Sequence, residues 1–122
     1  MSINTVVLVP LTEHGVPSGN YDGSSLGFVA DPQKAANYYS GFGGLQTVAF
    51  FLNGFQGHIT IEASLDTVPD SNATWFTVQD LDYITSPVTQ NFSRNIPGNF
   101  AWIRAKVDNF IDGTITKVTL SY

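Results

Sequence analysis

The chain contains no cysteine, which excludes a disulfide framework and thiolate metal sites but leaves the compartment open. Charge is scarce too: 12% of the 122 residues are charged, against roughly 25% in soluble domains. Only Lys34, Arg94, Arg104, Lys106 and Lys117 are basic. They form no cluster that could follow a phosphate backbone, which argues against direct nucleic-acid binding. The apolar run Val6–Val9 is much shorter than the hydrophobic region of a signal peptide and has no basic segment before it. No segment approaches the roughly 18 apolar residues of a membrane span. The expectation is synthesis in a cytoplasm without a signal peptide.

What the chain does have is apolar and aromatic bulk. Hydrophobic residues make up 43% of it, including nine Phe, five Tyr and two Trp, and the net charge is −5. A disordered chain shows the reverse, so a packed core is expected, and 122 residues suffice for a single domain over 1–122.

Period-2 runs rich in Val, Ile, Thr and aromatics recur between Gly, Pro, Asn and Asp punctuation. Strands are expected near Ile3–Val9, Leu26–Ala30, Leu45–Asn53, His58–Leu65, Thr74–Gln79, Val88–Arg94, Phe100–Asn109 and Thr114–Tyr122. About eight short strands describe an all-β antiparallel sandwich, jelly-roll-like in its arrangement. In the fourth, Ile59, Ile61, Ala63 and Leu65 alternate with His58, Thr60, Glu62 and Ser64, which predicts one buried and one wet face. Asp112-Gly113 reads as a tight hairpin between the last two strands. Pro32–Tyr39 has the composition of a helical turn or two. Pro10–Ser25 is polar and without apolar period, a long loop or an arm that reaches a neighbour.

Candidate chemistry is sparse. His14 and His58 match no zinc pattern, and Ser64 lies too far along its strand from His58 for a nucleophile–base bond. The expectation is no catalytic residue, no metal ligand and no cofactor. A weak calcium site from Asp66, Asp70, Asp80 and Asp82 stands as the alternative to turn-forming aspartates.

The aromatic pattern says more. On the seventh strand Ala101, Ile103, Ala105 and Val107 share one face, while Phe100, Trp102, Arg104 and Lys106 share the other. An outward stripe of Phe100, Trp102 and Arg104 has the composition of an interface hot spot, and an end cap over the core is the competing reading. Tyr38, Tyr39 and Phe42 lie on a glycine-flanked segment suited to sugar stacking or protein contact.

Gly57 to Tyr122 resembles the small β-sandwich accessory proteins of tailed bacteriophage particles. The resemblance lies in the run Gly57–Leu65, a Pro/Asp/Ser turn, Thr74–Val78, then Phe100–Val107 and Asp112–Val118. It implies a non-enzymatic virion structural protein, of the capsid decoration or cement, neck or tail-fibre type. It further implies virion-protein partners, homo-oligomers such as trimers, and a place in the virion after synthesis in the host bacterial cytoplasm. The alternative is a carbohydrate-binding β-sandwich module that uses Tyr38, Tyr39, Phe42 or Trp102 as stacking platforms.

Overall fold

The computed structural model describes residues 5–36, 38, 44–70 and 72–122. Among the described residues the structure is all-β, with eight strands paired antiparallel in one sheet. They are β1 (Thr5–Val9), β2 (Thr12–Glu13), β3 (Phe28–Val29), β4 (Gln33–Lys34), β5 (Leu45–Ser64), β6 (Phe76–Asp82), β7 (Val88–Pro97) and β8 (Trp102–Ser121).

Two strands dominate. β5 and β8 each run 20 residues and pair with each other from Thr47↔Ser121 to Ser64↔Trp102. The sequence reading cut each of them in two, and the structure corrects it. Asp112-Gly113 is not a hairpin, and Asn53–Gly57 is not a loop. Both are corners within continuous strands, where the pairing shifts register between Asn53 and Gln56 and again between Gln56 and His58. Bulges of this kind let a strand pass from one layer to the next. Gly54 and Gly113 take positive φ here, and so does Asn109 at 49°. A Cβ on Gly113 would stand 2.0 Å from the carbonyl oxygen of Gly54, so only glycine lets the two backbones meet.

On one side of the corner, the first half of β5 and the second half of β8 are flanked by β7 and β1. On the other side, β6 flanks β5, and β3 and β4 flank β8. Both halves feed one buried cluster: Val48, Phe50 and Leu120 from the first, Ile59, Ile61 and Ile103 from the second. A single sheet with no helix among the described residues can bury one face this fully only by folding onto itself. Gln46 fastens the closure. Its side chain accepts from Ala36 N beyond β4 and donates to Ile96 O and, at 3.0 Å, to Gly98 O beyond β7. The doubled sheet is compatible with the expected sandwich.

Three further expectations change. Gln33–Lys34 pairs with Trp102–Ile103 as a short strand rather than starting a helix, because β8 offers it a ladder. The "wet" face of the fourth expected strand is half covered, with Thr60 and Ser64 buried; Thr60 lies between Asp80 of β6 and Lys106 of β8, and its hydroxyl bonds the Asp80 carboxylate. Pro10–Ser25 lies along the sheet: Thr12 is fully buried, β2 pairs with Thr114–Ile115, and Tyr21 packs against Phe28 and Phe110. Tyr21 alone brings to the core the roughly 1.5–3 kcal/mol typical of a buried large side chain, so this segment is more than a polar loop.

Candidate interaction face at the strand ends

Folding at the corner brings the far ends of both halves to the same end of the molecule. Gly98 N donates to Gly44 O (2.7 Å), Ala35 N to Ala101 O (2.9 Å) and Ala101 N to Ser64 O (3.0 Å), so the chain segments before β5, after β4 and before β8 converge there. Tyr38, Phe100, Trp102 and Arg104 gather at this end. Tyr39 and Phe42 lie outside the described residues.

Trp102 and Arg104 point to the outer face, opposite Ile103 and Ala105, as the alternation predicts. Neither is a bare surface residue. The Trp102 indole N–H donates to Thr67 O (3.1 Å), and its ring stands edge-on to Tyr38 at 5.2 Å. Arg104 Nε donates to Glu62 Oε1 at 2.8 Å, and its guanidinium lies over the Trp75 ring at 4.0 Å. The turn from Asp66 to Trp75 thus folds back over its own strands and takes up much of the stripe. Phe100 departs from the expected stripe. It precedes β8, packs against the core and meets Phe76 edge-on at 5.5 Å, because the chain turns at Gly98 before the ladder begins. It is an end cap, while Trp102 and Arg104 are outer-face residues.

What stays open around them is apolar. Leu65 is 65% exposed, Val68 58% and Leu45 56%, with Phe76 and Tyr38 also exposed. Leu65 and Val68 follow Ser64 and Thr67, the residues that pair with and hold the half-buried Trp102, while Leu45 opens β5 and Phe76 opens β6. Sequence reasoning missed Leu45, Val68 and Trp75, and it placed Leu65 on the buried face, which the structure corrects because β5 ends at Ser64. Their signal was weak: Val68 lies in a Pro/Asp/Ser turn, where an apolar residue has no strand to bury it.

The other candidates are engaged locally. His58 Nε2 meets the Asp80 carboxylate, and its Nδ1 lies 3.8 Å from Asp108, so the imidazole is bracketed by acids from β6 and β8. Ser64 bonds Asp66 and not His58. Asp66 also accepts from Thr74 N, Asp70 from Asn72 N, and Asp82 from Ile84 N. Each of the aspartates considered for calcium is therefore bound up in a turn or a pair. Among the described residues no group of three metal-ligating side chains converges, and no helix is long and apolar enough to cross a membrane. His14 stands edge-on to Phe110 at 5.3 Å.

Searches of known protein families and of curated proteins find no match to this chain.

Proposed function

We propose that this chain is a non-enzymatic structural part of a tailed-phage particle, of the decoration, neck or tail-fibre type, which grips other virion proteins by its aromatic strand end. The observation that carries the reading is the exposure of Leu65 and Val68, just past the end of β5, beside the stripe that holds Trp75, Trp102 and Arg104. Monomeric soluble proteins seldom leave large apolar patches in water, and aromatic residues beside an arginine mark the centres of protein contacts. The resemblance of Gly57–Tyr122 to phage accessory proteins supports the choice of partner. Tyr38 beside Trp102 also supports the carbohydrate-module reading, since two partly exposed rings can stack a sugar.

The test is a copy count of the chain in purified phage particles from the source strain, with a Leu65→Ser, Val68→Ser double variant alongside. The wild type should be present in a fixed, symmetric number, and the variant should fold normally but load roughly tenfold less well. Absence from particles overturns the reading. Binding to an oligosaccharide array with no particle association transfers the function to the sugar module.

A further inference from the structure

We propose that β7 is a homotypic pairing edge: two copies of this chain join antiparallel along Thr89–Pro97 about a two-fold axis at Ser93. Four observations carry this, and none of them involves Leu65, Val68, Trp75 or Trp102.

The first is how the edges of the sheet are guarded. A long bare strand edge is a template for pairing, and proteins blunt such edges with charge, bulges, proline or shortness. β6 carries Asp80 and Asp82, β1 is bulged between Val7 and Val9 and ends at Pro10, and β3 and β4 are two residues each. β7 runs ten residues, pairs among the described residues only with β5, and keeps an unbroken register from Leu45↔Pro97 to Leu52↔Gln90.

The second is the direction of its backbone groups. Gly98 N bonds Gly44 O, so in the unbroken ladder residues 96, 94, 92 and 90 turn their N–H and C=O toward β5. Asn91, Ser93 and Asn95 turn theirs outward, and so does Pro97, whose missing N–H costs nothing there. All four are exposed. Arg94 Nη1 donates to the outward Ser93 carbonyl (3.1 Å) from its own chain, so that carbonyl already takes a donor.

Third, the register centred on Ser93 uses the whole strand. Ser93 faces itself, and Asn91 faces Asn95 of the second copy, each exchanging both backbone bonds. Arg94 then faces Phe92 of the second copy. The guanidinium now lies over its own Phe92 ring at 4.7 Å, so the same cation–ring contact is remade between chains. A shift that sets Arg94 against Arg94 is disfavoured by like charge.

Fourth, no Asp or Glu occurs from Tyr83 to Val107, although the chain carries ten. Two chains of net charge −5 repel least along this edge.

The chain has no cysteine, so single-cysteine variants report the pairing without background. Opposed residues in such a pair have Cα atoms about 5.5 Å apart, within disulfide span. Under oxidation Ser93→Cys should form covalent dimers, while Thr116→Cys, exposed on β8, should not. Asn91→Cys and Asn95→Cys should cross-link when mixed and much less when alone. In sedimentation the wild type should be a dimer, and Ser93→Lys, which sets like charges opposite each other, should weaken it roughly tenfold or more. Ser93→Pro should do the same with the fold kept, since that N–H bonds nothing in β5. A wild-type monomer or trimer at high concentration, or Ser93→Cys that cross-links no faster than Thr116→Cys, overturns the proposal. Particle loading is unaffected by that result, because it is read at the other site.

Discussion

The corner and the strand ends are built on opposite terms. At the corner, backbones touch: Gly113 lies on Gly54, Gly57 lies under Asn109 and Phe110, and the space left is filled by Tyr21, Phe28, Phe55 and Phe110 ring against ring. The fold is decided there, because a chain that does not bend leaves a flat sheet with a bare apolar face. At the strand ends, side chains lie loosely over one another and apolar residues stay in water. One end spends its aromatics on packing, while the other holds them at the surface. The proposed contact role rests on that division, since a surface that must meet a partner cannot also be buried within its own chain.

The sharpest way to break the corner is Gly113→Ala. The new methyl would meet Gly54 backbone at 2.0 Å and would also hold an alanine at φ 90°. Backbone cannot swing aside as a side chain can, so a loss of more than about 3 kcal/mol is expected in urea unfolding. Gly15→Ala is the control. Its φ is 87°, but nothing lies within 4 Å of the added Cβ, so only the backbone strain of about 1–2 kcal/mol remains. Equal losses at the two positions would show that strain, and not the close approach, sets the corner.

Next in size is Tyr21, the core's anchor for the segment that wraps the corner. Tyr21→Ala should cost about 3 kcal/mol, as large aromatic truncations do. Tyr21→Phe should cost about 1 kcal/mol, for the bond its hydroxyl oxygen accepts from Gly15 N at 3.0 Å. Chemical denaturation of both variants checks this. A Tyr21→Ala loss under about 0.5 kcal/mol would return Pro10–Ser25 to the status of a dispensable loop.

These two regions also differ in how far the sequence reveals them. Alternation in His58–Leu65 and Phe100–Asn109 was enough to assign the inner residues Ile59, Ile61, Ile103 and Val107, all fully buried. All-β class followed from the same period. The corner was misread because glycine, asparagine and aspartate have the same chemistry in a hairpin turn and in a bulged bend. What separates the two is whether the next strand pairs with the last or continues it, and that depends on contacts across the whole chain. Gln46 was legible and overlooked: it shares the inward parity of Val48, Phe50 and Leu52, which marks a buried polar residue with a tying role. Tyr21 gave no periodic signal, since it sits alone among polar residues. At the strand ends, Trp102 and Arg104 were readable as an outward stripe. Their cover was not, because a turn that folds back over a sheet leaves no mark in its own composition.

The smallest expected effect lies at the exposed rim of the corner, in the turn after Tyr21. Asp22 Oδ1 accepts from Ser25 N and Ser24 N, each at 2.8 Å, and from the Ser25 hydroxyl. Those bonds, the Ser25 backbone first and the Ser24 backbone second, favour the ionised carboxylate and hold its pKa down to about 2. The sign follows from linkage: a carboxyl depressed in the folded state stabilises it above the ordinary value near 4, and that help fades as pH falls toward 2. Asp22→Ala should therefore lower the melting temperature slightly at pH 7, and the gap between variant and wild type should narrow as pH falls from about 4 and close only below about pH 2. An NMR titration of the Asp22 carboxyl should place its midpoint well below those of unpaired aspartates. A gap that persists undiminished in acid would mean the turn is held by its backbone shape alone. The charged cap would then be idle, and the corner's rim would be as loosely held as the strand ends.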